Sequence, residues 1–381
     1  MYRVKFEISI QQVAKKDYPN HTKQMVLNFV TEYSVDSSWK NLTDGGTVVI
    51  PKNLYYRDGL NNKIALGSTN VNAGGFNGEP LFMKGDKITV KSGYYGDNLE
   101  TVFDGFITKV GSKIPIEFTV EDNMWLLKQK PMDAKTFTSS DTLEDILNYL
   151  VAGTGLTVKA LTKTNLGPFT IGNETAAKVL SRLQSDYGLE AYFRGNELKC
   201  GVYIYDAETA VKHVFDFNKN IIDDDLEYMR KDDVKLSCIA HNTITVDGQG
   251  TATDGQPKTK KKRIAVLVEL VGDSYKATDV TDGHTPANEE GERRTFFFPG
   301  ASTVEELGAL AFEQLKKYYY NGFKGTFTTF GIPFVKFGDN VKLIDRKLPE
   351  RNGLYKVKSI KYSGGIGGIR QQIELDFRIN E

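Results

Sequence analysis

The feature that most constrains this chain is a short pattern used twice. One copy reads Lys84-Gly85-Asp86-Lys87-Ile88-Thr89-Val90 and returns through Phe103-Asp104-Gly105-Phe106-Ile107-Thr108-Lys109-Val110. The other reads Phe337-Gly338-Asp339-Asn340-Val341-Lys342-Leu343 and returns through Asn352-Gly353-Leu354-Tyr355-Lys356-Val357. Each places Gly-Asp before an alternating apolar run, and a second glycine marks the returning strand. In physical terms this is a tight turn into a half-buried strand followed by an antiparallel return. A unit repeated within one chain implies two related β-domains. Gly85, Asp86, Gly105, Gly338, Asp339 and Gly353 are therefore the structural signature to follow.

With 381 residues the chain can form several modest domains, each with its own core. Its 49 basic and 49 acidic residues cancel, so no global field draws it to nucleic acid or to an anionic membrane. Aromatic content is dominated by 22 Phe and 19 Tyr, and 36 Gly punctuate short runs, which favours strands and turns. Cys200 and Cys238 lie in apolar alternating runs and read as buried thiols, with no disulfide framework or zinc set. At the N-terminus Val4, Phe6, Ile8 and Ile10 alternate with polar residues, which predicts a strand and not a signal peptide. No run approaches the length of a membrane helix, so the chain is expected to be made and folded in the cytoplasm.

Four regions follow. Residues 1–130 read as a first β-barrel, with a Gly-rich irregular stretch at Asn70 to Gly78 and a helical turn at Asp122 to Lys128. Residues 131–210 change period and predict a small α+β domain. Ser140 caps one helix there, a second helix follows Asn173, and Gly188 stops it. Residues 211–300 and 325–381 read as a second β-barrel, with 301–324 a helical insertion capped by Ser302 or Thr303. Asp247 to Arg263 reads as a long mobile loop. The expected class is mainly β with α+β inserts: two related antiparallel β-barrels, a small α+β domain and the insertion.

Catalytic signatures are missing from the sequence. His21, His213, His241 and His284 lack partners at metal-ligand spacing, and His213 and His241 read as ordinary strand residues. No nucleophile elbow, phosphate loop or dinucleotide fingerprint is present. Asp223-Asp224-Asp225 with Glu227 has the composition of a calcium site but reads as a solvated turn. The looser set Asp273, Asp279, Asp282 and His284 lacks the spacing of a calcium loop. Glu144-Asp145 and Glu305-Glu306 suit the first turns of helices. Lys258, Lys260, Lys261, Lys262 and Arg263 form a basic cluster, a possible partner or lumen contact, without the interleaved aromatics that stack bases. No cofactor or metal is expected.

The order of these motifs resembles the phage baseplate hub family. Phe82 to Asp86, Phe103 to Ile107 and Glu121 to Lys128 are similar to its first barrel. Ile171 to Thr175, Val179 to Leu183 and Tyr187 to Arg194 are similar to its small α+β domain. Asp225 to Val234, Gly331 to Pro333, Gly338-Asp339 and Gly353 to Tyr355 are similar to its second barrel. The family includes the late control protein D group and the N-terminal part of the type VI secretion spike protein VgrG. The resemblance implies a non-enzymatic homotrimer of pseudo-sixfold symmetry that joins a hexameric tail tube to a trimeric spike or tail-tip protein. It further implies contacts with other baseplate proteins, DNA only as cargo in the channel, no membrane insertion, and a place in the virion tail or injection-machine baseplate after cytoplasmic assembly. A reading from another class is a cell-wall-directed tail-tip module, hydrolytic or carbohydrate-binding, with Tyr94-Tyr95 and Tyr318-Tyr319-Tyr320 stacking on sugars.

Overall fold

Six strands of the N-terminal part and six of the C-terminal part repeat one spatial order. The computed structural model describes residues 3–379 except 52–54, 59–62, 66–79, 97, 114, 139, 163–165, 167, 203–209, 252–256, 288–290 and 299–300. The irregular stretch Asn70 to Gly78 lies outside the described residues. The first half contains β1 (Val4–Gln11), β2 (Glu32–Ser38), β3 (Gly45–Ile50), β4 (Lys87–Tyr94), β5 (Glu100–Val110) and β6 (Ile116–Glu121). The second half contains β7 (Lys212–Asp216), β8 (Ile221–Met229), β9 (Gly322–Phe330), β10 (Asn340–Ile344), β11 (Gly353–Gly365) and β12 (Gly368–Ile379).

Neighbours run β2-β3-β6-β5-β4-β1 in the first half and β8-β9-β12-β11-β10-β7 in the second. The connectivity is the same except that β1 runs antiparallel to β4 whereas β7 runs parallel to β10. Three short strands, Gln24–Leu27, Tyr55–Asp58 and Lys63–Ala65, extend the first half beyond β1.

The two halves are one sheet of 15 strands, because β11 is long enough to pair twice on the same edge. Its start pairs with β10 from Gly353 to Lys356, and its far end pairs with β2 from Ser359↔Ser38 to Gly365↔Glu32. A single apolar cluster spans both halves, from Ile8, Ile88 and Phe118 to Phe215, Phe337 and Ile373. Alternation puts these side chains inside: β4 reads apolar-polar through Ile88 and Val90, and β10 does the same through Val341 and Leu343.

Residues 124–202 form the small α+β domain. Helices α1 (Met124–Gln129), α2 (Leu143–Val151) and α3 (Ala176–Tyr187) surround Leu147, Leu180 and Leu198. The cap of α2 is Thr142, two residues beyond the expected Ser140. Its hydroxyl accepts from Asp145 N, and the Asp145 carboxylate accepts from Thr142 N at 2.8 Å, a reciprocal box that Ser140 is too early to make. Gly188 ends α3 in the left-handed region, its N–H donating to Gln184 O at 2.9 Å.

The described strands of residues 236–297, grouped by sequence with the second barrel, make no pairing with the main sheet. They form a separate four-stranded sheet of Ser274–Asp279, Pro257–Val271, Leu236–Thr251 and Glu292–Phe297 in that order. Helix α4 (Val304–Lys316), capped by Thr303, buries Leu307, Ala311 and Leu315 against Cys238, Val266 and Val268 of this sheet. The alternation of Val234 to Val246 did announce strands, but alternation does not say which sheet they join. The expected loop at Asp247 to Arg263 is mostly strand, since the Leu236–Thr251 and Pro257–Val271 ladder continues through Val246↔Lys260 and Asp247↔Thr259.

Candidate functional site

The two Gly-Asp turns are built alike. Gly85 and Gly338 adopt φ of 93° and 82°, a region in which a side chain on Cβ is strained. That conformation turns their N–H groups onto the returning strand, where Gly85 donates to Ile107 O at 2.7 Å and Gly338 to Val357 O at 2.8 Å. Ile107 N and Val357 N donate back to Asp86 O and Asp339 O, both at 2.9 Å.

Each aspartate then collects donors from elsewhere in the chain. Asp86 accepts from Met83 N at 2.7 Å, Val13 N at 3.2 Å and His21 Nε2 at 2.8 Å. Asp339 accepts from Lys336 N at 2.8 Å, Val211 N at 3.2 Å and His213 Nε2 at 3.0 Å. Burial pushes the Asp339 carboxyl up, but the bonds from His213, Lys336 and Val211 outweigh it and hold the group below its ordinary value. His21 and His213 are thus the residues that sequence reasoning missed. His213 does sit in a strand, but its ring serves the turn. The partners lie 65 and 126 residues apart, and no local pattern links them.

The returning glycines are not equivalent. Gly105 lies opposite Ile88 inside β5, whereas the residue opposite the corresponding Val341 is Tyr355, and Gly353 opens β11 opposite Leu343. A Cβ on Gly105 would stand 2.2 Å from Glu121 O, so glycine is required by backbone approach. A Cβ on Gly353 would meet the Tyr355 hydroxyl at 2.8 Å.

One hairpin of the small domain, Glu190–Arg194 and Glu197–Gly201, packs on the main sheet. Asn123 Nδ2, just before α1, donates to Gly195 O at 2.8 Å. Arg194 donates to Phe337 O and lies 3.6 Å from the Phe337 ring centroid at the second Gly-Asp turn. Next to Asn123, Asp122 accepts from Met124 N at 3.0 Å and stands against Asp44. Burial first, then the Asp44 charge, pushes the Asp122 carboxyl well up, and burial raises Asp44 to about 6.

The remaining candidates separate. Lys262 and Arg263 are exposed on the ribbon of the four-stranded sheet, while the side chains of Lys258, Lys260 and Lys261 lie outside the described residues. Asp223, Asp224, Asp225 and Glu227, expected in a turn, are exposed along β8, which has β9 as its one neighbour among the described strands. Asp279 and Asp282 accept from Thr281 N and His284 N in exposed turns. Among the described residues no three His, Cys, Asp or Glu side chains gather as a metal set. Nor is any described helix long and apolar enough to cross a membrane.

Tyr94 and Tyr318 are buried, so neither offers a face to a sugar; Tyr95 is 66% exposed and lies against Arg3. A cleft of about 540 Å³ opens between the halves, lined by Tyr94, Lys219, Phe330, Ile332 and Arg370 among others; among the described residues its wall holds no carboxylate, histidine, serine or cysteine.

This fold is shared with solved tail proteins. No protein-family model and no curated protein matches the sequence. Among solved structures, the tail protein from Neisseria meningitidis MC58 aligns with a TM-score of 0.55 at 14% identity, over 98% of this chain and 97% of that one. The 43 kDa tail protein of prophage MuSo2 from Shewanella oneidensis aligns with a TM-score of 0.53 at 15% identity, over 98% of both chains. At the level of fold, the resemblance carried by the motifs is borne out along the whole chain.

Proposed function

We propose that this chain is a non-enzymatic structural hub of a phage tail or phage-like injection machine. In this reading three copies form a ring of pseudo-sixfold symmetry that joins a hexameric tail tube to a trimeric spike or tail-tip protein around a central channel. DNA passes as cargo, other baseplate proteins pack outside, and the chain works in the virion tail after assembly in the bacterial cytoplasm. The observation that carries the reading is the duplication itself. Two six-strand units of one connectivity, each with its own Gly-Asp turn, lie side by side in one sheet. A duplicated unit in a threefold ring presents six similar faces, which is what an adaptor between sixfold and threefold partners requires. The fold shared with two tail proteins supports the setting.

The test is solution mass by light scattering over a concentration range, alone and with the tail-spike protein encoded beside it. A mass of three times 42.6 kDa is expected. A chain that stays monomeric in both conditions rejects the hub. The cell-wall reading has no such support; clearing of a cell-wall suspension by the purified chain would revive it.

A further inference from the structure

We propose that the outer edge of β8 pairs with the segment Lys109 to Lys113 of a second copy of this chain, reproducing between protomers the seam that joins β2 to β11 within one. The inference rests on the hub reading and names its interface. The seam exists because the short strand β10 starts only after the Gly-Asp turn and so covers just the beginning of β11. After Val357 has bonded to Gly338 and Asp339, β11 runs on with that edge unclaimed, and β2 takes it from Ser359 to Gly365. In the first half Ile107 makes the same bonds to Gly85 and Asp86, and β5 likewise runs on past the end of β4. No described strand of the same chain takes that edge.

The counterpart of β2 in the second half is β8, and no described strand takes its outer edge either. Register fixes the correspondence, because Gly46 and Gly325 each press against the neighbouring strand, their Cβ positions falling 2.0 Å from Ser34 O and 2.2 Å from Asp225 O. Ser34 therefore corresponds to Asp225, and Asp36 to Glu227. Counting from Ile107 and Val357 in the same way, Ser363 corresponds to Lys113 and Lys361 to Gly111. Within the chain Ser34 faces Ser363, and Asp36 faces Lys361. Between chains the same register then sets Glu227 opposite Gly111, with Lys109 two residues away on the same face, and sets Asp225 opposite Lys113, which follows the end of β5 in a bend.

The charges suit this partner and discourage others. Asp223, Asp224, Asp225 and Glu227 are exposed on β8, and Lys109 and Lys113 are exposed on the segment it would meet. An acidic edge resists pairing with a copy of itself, which is how sheet edges are kept from indiscriminate association. The new ladder is shorter than the internal one, because β5 ends at Val110 and Gly111 N already donates to Glu117 O at 2.7 Å, whereas β11 extends to Gly365. Contact of one edge with a different edge is heterologous, so it does not stop at a pair, and the threefold rotation of the hub reading closes it into a ring.

The test is cross-linking of the full chain carrying Lys113→Cys with Asp225→Cys. Cys200 and Cys238 are buried and contribute little background. Mild oxidation should give a covalent ladder ending at the trimer, and Lys113→Cys with Asp224→Cys should not, because Asp224 points to the other face. Charge reversal is the second measurement. Asp225→Lys should weaken association about tenfold, and adding Lys113→Asp should restore it. A trimer by light scattering that neither cross-links at this register nor responds to reversal overturns this interface and leaves the hub standing. A monomer under every condition removes both.

Discussion

The first and second Gly-Asp turns solve the same problem with different chain routes. Both present a buried carboxylate to two backbone donors and a histidine ring. In the first the histidine arrives on the excursion after β1, and His21 and Asp86 are 1% and 0% exposed. In the second it comes from β7, which runs in the opposite direction, and His213 and Asp339 are each 10% exposed. The difference teaches that the turn and its acceptor are the repeated unit, while the donor comes from whatever segment lies alongside, a loop in one case and a strand in the other.

The comparison predicts a graded series. The largest effect should be Asp86→Ala, which leaves Met83 N, Val13 N and His21 unpaired in a closed site. A loss of about 3–5 kcal/mol is expected in urea unfolding. Asp339→Ala, nearer solvent, should cost about 1.5–3 kcal/mol. Equal losses would mean that burial does not separate the two turns. Next come the returning glycines. Gly105→Ala forces β6 away from its backbone contact and should cost about 2–3 kcal/mol, while Gly353→Ala meets a side chain and should cost about 1 kcal/mol. The reverse order in thermal melts would show that the backbone contact at Glu121 is soft.

Acidity distinguishes the halves by sign. Asp339 titrates below its ordinary value, so its stabilising contribution is present above the ordinary carboxylate range and is lost as pH falls through the folded value. Asp44 is raised from 3.8 to about 6, so its contribution is full below the ordinary value and is lost as pH rises toward about 6. Asp44→Asn should flatten the fall in stability over that upper window, and Asp339→Asn should flatten only the acid limb. Melting curves across both windows check the assignment, and a single shared limb would refute it. The smallest effect should be His213→Gln, about 0.5–1.5 kcal/mol, because a partly exposed bond is partly replaced by water.

Much of this was legible in residues close together in sequence. The alternation in β4 and β10, the left-handed glycines before each aspartate, the Gly188 stop of α3 and the Thr303 cap of α4 are local chemistry. What stayed hidden was long-range. Nothing near Val234 to Val246 says that those strands leave the main sheet, because a second core under α4 decides it. The acidic run reads as a turn because carboxylates are poor strand formers, yet β9 imposes strand geometry on it. The histidines could not be assigned to the turns, since only the folded sheet brings them to Asp86 and Asp339. Nor could the return glycines be told apart before the register was known.

The seam between β2 and β11 also sets a clock. The strand that covers the outer edge of β2 leaves the ribosome long after β2 does, because β3 to β10 lie between them in the sequence. During synthesis the N-terminal half therefore waits with an open edge, and a chain truncated before Gly353 would keep it open, free to pair with its neighbours on the same message.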